Sequence, residues 1–172
     1  RWLLLLAFVL VAFFVNLGAD GLFSAQEGRA GVLTRNMLES GNWLLLDFPG
    51  APENEKPVMC YWFYAVCGKI FGINELSLRI PGVLAALLMV VFSVQLARRI
   101  YGDDTAFLSG YVLCTMATFL TLARTARIDI VLASFHTLAM LLLYYGYFER
   151  MKPTRWLYVF YAVVGVSMMV KG

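Results

Sequence analysis

The chain has 172 residues, of which 61% are hydrophobic and only 15% are charged, and its formal net charge at pH 7 is +3. This composition is too apolar for a soluble domain of that length, and it predicts an integral membrane protein. The positive charge lies in the predicted loops, which indicates lipid headgroups rather than nucleic acid as the charged partner.

Long apolar runs predict an all-α membrane protein, a polytopic bundle of about five spanning helices, because about 20 apolar residues cross a bilayer core. A signal peptide is the rival interpretation of the first run, but further long runs follow it. We expect residues 1–172 to be the N-terminal part of a longer transmembrane domain. The predicted spans are about 2–18, 76–97, 106–123, 130–148 and 156–170, with a long loop over 19–75.

Basic residues between the spans predict the topology. Arg98 and Arg99 follow the second span, and Arg150, Lys152 and Arg155 lie between the fourth and fifth. The positive-inside rule places these connections in the cytoplasm. The long loop and the turn before the fourth span then lie on the extracytoplasmic side.

Two helices are predicted within the long loop. The first is Ser24–Ser40, with Ser24 and Glu27 in capping-box spacing and Gly41 as its stop. The second is Pro57–Phe71, whose aromatic residues are typical of a membrane interface. We expect both helices to lie along the membrane surface without crossing it.

Two charged residues lie beside predicted helix starts. Lys56 directly precedes Pro57 and faces the headgroup region, where it is either a phosphate ligand or a lysine that holds the loop against anionic lipid. Asp129 begins the fourth span, where it is either a helix cap paired with Arg127 or a functional carboxylate.

The histidine and the cysteines receive structural interpretations. His136 lies two turns deeper than Asp129 and is interpreted as a buried, hydrogen-bonded side chain. Cys60, Cys67 and Cys114 have no metal-ligand spacing, so they are interpreted as packing residues.

Short strings across most of residues 24–137 resemble a bacterial family of lipid-linked sugar transferases. That family includes the aminoarabinose transferase of lipid A and is related to the protein O-mannosyltransferases. No single string is specific for the family, but the order and spacing of all the strings together are. The strings are Glu27-Gly28-Arg29-Ala30, residues 36–43, Glu55-Lys56-Pro57 with Tyr61-Trp62, Phe71-Gly72, residues 78–81, and Ala123-Arg124 with Asp129.

The resemblance implies a C-type glycosyltransferase fold with extracytoplasmic juxtamembrane helices in the first loop. It implies an inverting enzyme of the bacterial inner membrane that takes a sugar from a polyprenyl-phosphate donor. The sugar would pass to a lipid or protein acceptor on the extracytoplasmic side. Membrane lipids are the other expected partner, and a divalent metal ion is the one cofactor that the resemblance suggests.

The resemblance also implies roles for particular residues. It makes Glu27 and Asp129 the catalytic carboxylates and Lys56 the main ligand of the donor phosphate. Glu55 corresponds to a residue that contributes to a divalent metal site in some relatives. The basic residues expected to assist Lys56 are Arg79, Arg124 and Arg127.

One position departs from the family pattern. The family commonly carries Asp-Glu where this chain has Gln26-Glu27, and an amide cannot take a proton. Glu27 is therefore the first choice for the base, and the alternatives are that Asp20 substitutes for it or that this chain is altered in acceptor or activity. We expect Glu27 and Asp129 to share one cleft at the outer membrane surface.

Two other functions remain as alternatives. A transporter or flippase would place charges near the bilayer midplane, whereas most charges here fall at the ends of the predicted spans. A non-catalytic membrane scaffold would leave Lys56 and Asp129 replaceable.

Overall fold

The computed structural model describes residues 1–22, 24–48, 51–52, 56–148 and 153–171, with only the backbone at 47–48, 51–52 and 153–154. Eight helices and one pair of two-residue strands lie in these ranges. The helices are α1 (Trp2–Phe14), α2 (Ala25–Ser40), α3 (Met59–Phe71), α4 (Glu75–Tyr101), α5 (Asp103–Thr115), α6 (Ala117–Ala123), α7 (Ile128–Tyr147) and α8 (Pro153–Met168). The strands β1 (Asp47–Phe48) and β2 (Ala51–Pro52) pair antiparallel.

Two described helices, α4 and α7, are each long and apolar enough to cross a membrane. The pair α5 and α6 passes the same test together but bends by 71° at its break. Met116 has extended backbone at that break, with φ −68° and ψ 119°. The described part of α8 and the whole of α1 are shorter apolar helices. The predicted number of five spans therefore stays a prediction.

The first predicted span, 2–18, forms a shorter helix than expected. α1 has 13 residues and ends at Phe14, which makes it about 20 Å long. Asn16 follows with φ 56°, in the left-handed region that asparagine tolerates better than most residues. This local turn ends the helix inside the apolar run.

Local capping signals fix the helices of the long loop. Ser24 caps α2 by accepting a hydrogen bond from the backbone N–H of Glu27 at 3.1 Å, and Gly41 ends that helix with φ 69°. Both predicted ends of this helix are confirmed. The second predicted helix, Pro57–Phe71, begins two residues late at Met59 and ends at Phe71 as expected.

The bundle is organised around α4. This helix packs against α5 and α7, while α8 packs against α7 and α2 packs against α3. Its buried side chains include Leu78 and Val83, which join Tyr64 and Ile130 in one core. Many other large apolar side chains, among them Leu3, Leu4 and Tyr158, are exposed, as expected of surfaces that face lipid. The predicted all-α membrane architecture is confirmed.

Candidate functional site

Polar side chains from four parts of the chain surround a cavity of about 350 Å³, called here the charged cleft. The cleft lies between the start of α2, the segment before α3, the start of α7 and the residues after α8. Its polar lining residues are Gln26, Lys56, Tyr61, Arg127, Asp129 and Lys171. Three cations and one carboxylate give this cleft a positive balance, which suits an anionic ligand.

Asp129 is the carboxylate of the charged cleft. Its Oδ1 accepts a hydrogen bond from Nζ of Lys171 at 2.8 Å, and its Oδ2 lies 3.1 Å from Nη2 of Arg127. The Asp129 side chain is 34% exposed, so a ligand in the cleft can reach it. The expected ion pair with Arg127 is present, but Asp129 does not cap α7, whose N-cap is Arg127 and has no side-chain cap hydrogen bond.

Lys56 reaches the same cleft from the segment before α3. The residue is half-buried, and Pro57 beside it also lines the cavity. Val58 caps α3, and its carbonyl accepts hydrogen bonds from the backbone N–H groups of Tyr61 and Trp62. Because Lys56, Arg127 and Asp129 all line this cavity, the structure brings together three of the residues predicted from the sequence.

Glu27 and Arg79 form a buried ion pair next to the charged cleft. Their side chains are 1% and 5% exposed, and Nε of Arg79 lies 3.1 Å from Oε1 of Glu27. The same Oε1 accepts a hydrogen bond from the backbone N–H of Ala126 at 3.0 Å. The Glu27 carboxylate thus points away from the start of its own helix. It points toward α4 and toward residues 124–127 between α6 and α7, called here the α6–α7 turn.

Arg79 uses all of its donors within the protein. Its Nη1 donates to the carbonyls of Leu17 and Asp20 at 2.8 and 2.9 Å, and its Nη2 donates to the carbonyl of Gly21 at 2.9 Å. The second contact of Nη2 is Oε2 of Glu27 at 3.5 Å. A guanidinium group has five N–H donors. A phosphate could bind Arg79 only by displacing one of these acceptors, and the role of Arg79 as a phosphate ligand stays a prediction.

A second polar cleft of about 500 Å³ adjoins the first. Asp20, Glu27, Arg79 and Arg124 line it, and Arg127 lines both clefts. Glu27 and Asp129 were expected to share one cleft, but the structure places them in adjacent ones. The catalytic role of Glu27 stays a prediction.

Arg124 is engaged with the end of α1. Its Nη1 donates to the carbonyl of Ala12 and its Nη2 to the carbonyl of Val15, both at 2.7 Å. Cationic side chains often satisfy the last carbonyls of a helix in this way. These hydrogen bonds connect α1 to the α6–α7 turn, and they use two donors of Arg124 within the protein.

His136 differs from its interpretation as a buried histidine. It is exposed on α7, because the buried face of that helix carries Val131, Ser134 and Ala139 instead. Cys60 is fully buried and Cys67 is half-buried, and burial raises the pKa of the Cys60 thiol to about 12. A thiol with so high a pKa is inert at neutral pH, in agreement with the packing role assigned to it.

The described residues do not supply a metal-binding set. Nowhere in the described part of the chain do three His, Cys, Asp or Glu side chains come together as metal ligands would. Glu55, which the resemblance made a metal ligand, lies outside the described residues.

Three polar residues of the charged cleft, Gln26, Tyr61 and Lys171, had no site role predicted from the sequence. Gln26 is exposed and lines the cleft together with Ala30, four residues later on the same face of α2. Helical periodicity could have placed Gln26 there, because residues i and i+4 are neighbours on a helix. Lys171 pairs with Asp129 across 42 positions of sequence, and no local signal predicts that contact.

Comparison with known proteins identifies the family of this chain. Residues 55–172 match the profile of the dolichyl-phosphate-mannose-protein mannosyltransferase family. The chain belongs to this family. The resemblance to lipid-linked sugar transferases is thereby confirmed.

Named relatives of this mannosyltransferase-family chain are aminoarabinose transferases. The undecaprenyl phosphate-alpha-4-amino-4-deoxy-L-arabinose arabinosyl transferase of Pseudomonas savastanoi pv. phaseolicola is 30% identical over 172 residues, which cover 98% of this chain and 32% of that protein. An uncharacterized protein of Aquifex aeolicus is 38% identical over 153 residues, covering 88% of this chain and 30% of that protein.

A solved structure has the same fold. The crystal structure of ArnT from Cupriavidus metallidurans bound to undecaprenyl phosphate superposes with a TM-score of 0.92 at 28% identity, over 99% of this chain and 32% of that one. The expected membrane glycosyltransferase fold is confirmed by this match. The chain spans about a third of the length of the relatives it matches.

Proposed function

We propose that this chain forms part of a membrane enzyme that transfers a sugar from a polyprenyl-phosphate donor to a lipid or protein acceptor. The observation that carries the proposal is the charged cleft, where Lys56 and Arg127 lie around the partly exposed carboxylate of Asp129. The names of several relatives support a lipid-linked sugar as the donor, since these proteins are named undecaprenyl phosphate-alpha-4-amino-4-deoxy-L-arabinose arabinosyl transferases.

The donor phosphate is the group that the cations of the cleft would bind. When the bond between the anomeric carbon and the phosphate oxygen breaks, the leaving lipid phosphate gains negative charge. Lys56 and Arg127 would stabilise that charge, and removal of one such group typically costs about 10²–10³ in rate. Lys171 lies close enough to Asp129 to take part in the same network.

Asp129 would act on the acceptor. In the structure its oxygens are occupied by Lys171 and Arg127. An arriving phosphate competes for both cations, and that competition would free the lone pairs of the carboxylate. Asp129 could then take the proton of an acceptor hydroxyl while the hydroxyl oxygen bonds to the anomeric carbon, opposite the leaving phosphate. General-base assistance of this kind contributes about 10²–10⁴ in rate.

The test uses Lys56 with Lys69 as its matched control. Lys69 is exposed in the last turn of α3, away from the residues that line the charged cleft. We expect Lys56→Ala in the intact protein to lose transfer by about 10²-fold or more, Lys56→Arg to retain part of it, and Lys69→Ala to retain all of it. The assay measures transfer from a panel of undecaprenyl-phosphate sugars with purified protein. Full activity of Lys56→Ala would contradict the assigned role of the cleft.

The orientation of the site is a second part of the proposal. The basic residues Arg98 and Arg99 end α4 at its far end from the cleft, and the positive-inside rule puts such residues in the cytoplasm. The charged cleft would then open outside the inner membrane of a bacterium. A cysteine introduced at the exposed residue Glu39 should react with an impermeant reagent in intact cells. If this cysteine reacted only after lysis, the orientation would be the opposite of the one proposed.

A further inference from the structure

The α6–α7 turn, residues 124–127, carries Arg127 and leads directly into Asp129 at the start of α7. It is short, and the backbone N–H of Arg127 donates to the carbonyl of Thr125 at 2.8 Å within it. A short turn between two helices has few ways to move if one of its amide groups is fixed. The position of that turn therefore determines where the cation and the carboxylate of the charged cleft lie.

The side chain of Glu27 fixes this turn from outside. Its Oε1 accepts the hydrogen bond of the Ala126 amide at 3.0 Å, one residue before Arg127. Glu27 is itself fixed by Arg79, whose remaining donors bind the carbonyls of Leu17, Asp20 and Gly21. One buried ion pair thus connects the segment before α2, helix α4 and the turn.

Helix α4 also approaches the turn directly, one helical turn after Arg79. A Cβ atom at Gly82 would lie 3.0 Å from the carbonyl oxygen of Thr125 and 3.2 Å from that of Ala123. Both neighbours are backbone atoms, so the close approach of α4 to the turn depends on the absence of a side chain at position 82.

We infer that Glu27 and Arg79 are a positioning pair, which sets the α6–α7 turn and through it Arg127 and Asp129, and that neither residue takes part in the chemistry. The inference rests on the proposed function for its kinetic readout. It replaces the catalytic role that sequence resemblance gave to Glu27. The reasons are the 1% exposure of Glu27, its hydrogen bonds from Arg79 and Ala126, and the saturated donors of Arg79.

The first experiment separates positioning from acid–base catalysis. Glu27→Gln keeps the size of the side chain but removes the charge that pairs with Arg79. We expect kcat to fall by about 10–100-fold, because small displacements of reacting groups have effects of that size. The KM for the donor should change little. The pH profile of kcat/KM should keep its acid limb, which is the fall at low pH caused by protonation of the general base. Asp129→Asn should abolish that limb, and its loss in Glu27→Gln would overturn the inference.

A second variant leaves the ion pair intact. Gly82→Ala pushes the turn from the side of α4, and we expect the same selective fall in kcat with an unchanged acid limb. It also keeps the inference testable if Glu27→Gln does not fold. Wild-type kcat in a folded Gly82→Ala protein would contradict the inference.

Hydrogen exchange supplies a readout that needs no activity. Glu27→Gln should speed amide exchange in peptides that cover residues 124–129, since the Ala126 N–H loses a charged acceptor, whereas peptides from α5 should be unchanged. Unchanged exchange at 124–129 would overturn the positioning role. Absence of transfer by the wild-type protein with every polyprenyl-phosphate sugar would refute the proposed function alone, because the exchange result stands without it.

Discussion

The two ends of helix α4 both carry arginine–carboxylate pairs, but they are built differently. Near its start, Arg79 and Glu27 are 5% and 1% exposed and belong to a network of five contacts to Arg79. In its last turn, Arg98 pairs with Asp103 at the start of α5, and these side chains are 58% and 61% exposed. The arginine–carboxylate pair is therefore buried at one end of the helix and exposed to water at the other.

Burial explains the difference. An exposed pair gains little because water screens the charges and both side chains lose freedom, so its contribution is commonly below about 1 kcal/mol. A buried pair that loses one partner leaves an uncompensated charge. We expect the end of the bundle that holds Arg79 to be sensitive to single substitutions, and the end that holds Arg98 mainly to set the orientation in the membrane.

The largest effect should come from removing one partner of the buried pair. Arg79→Ala leaves the Glu27 carboxylate buried without its cation and three carbonyls without donors, at a cost of about 3–5 kcal/mol in the free energy of unfolding. Arg98→Ala, the matched control at the other end of α4, should cost less than about 1 kcal/mol. Denaturant unfolding of the intact protein in detergent, followed by tryptophan fluorescence, measures both. Equal losses would remove the distinction between the two ends.

The next effect concerns the contact between α4 and the α6–α7 turn. Gly82→Ala places a methyl group against two backbone carbonyls, and overpacking of this kind costs about 1–3 kcal/mol. Gly28 is the control, because a Cβ atom there meets nothing within 4 Å and alanine is the better helix former. Gly28→Ala should leave the melting temperature unchanged or raise it. A stable Gly82→Ala protein would show that the turn moves easily.

Local signals in the sequence were enough to predict the main elements. Ser24 and Gly41 marked the ends of α2, and the lengths of the apolar runs marked α4 and α7. These features depend on neighbouring residues along the chain, which a sequence displays directly. Lys56 and Asp129 both line the charged cleft, but the predicted cleft shared by Glu27 and Asp129 is wrong, because these two carboxylates line adjacent clefts.

The contacts that the sequence did not reveal join distant positions. Glu27 and Arg79 are 52 residues apart, and Asp129 and Lys171 are 42 apart. Whether such side chains meet depends on how the helices pack, and one sequence does not specify that. The break at Met116 was missed for a related reason, since that residue continues an apolar run without a glycine or proline to mark the bend.

A smaller effect is expected at the cap of α4, which holds the start of that helix near the site. The side chain of Asn74 accepts a hydrogen bond from the N–H of Ser77 at 2.8 Å, and the Ser77 hydroxyl lies 3.1 Å from the N–H of Asn74. Asn74→Ala should lower the free energy of unfolding by about 1 kcal/mol, whereas Asn74→Ser should keep most of it. Denaturant midpoints of the two variants compare them directly, and equal midpoints would mean that the cap contributes nothing.

The smallest functional effect should come from the cysteines of α3, which lie two helical turns apart on one face of that helix but differ in burial. Cys60 is fully buried, and burial raises the pKa of its thiol to about 12, while Cys67 is half-buried seven residues later. The thiolate is the reactive species, and its fraction falls tenfold for each unit by which the pKa exceeds the pH. Burial also raises the pKa of the Cys67 thiol, but of the two residues only Cys60 is fully buried. In variants that keep only one of the two, a maleimide at pH 8 should therefore modify Cys67 at least about tenfold faster than Cys60. Both should react alike after denaturation, and transfer activity should be unchanged in Cys67→Ser. Rapid labelling of Cys60 in the folded protein would show that the buried face of α3 opens, and that the core beside the charged cleft is less rigid than its packing indicates.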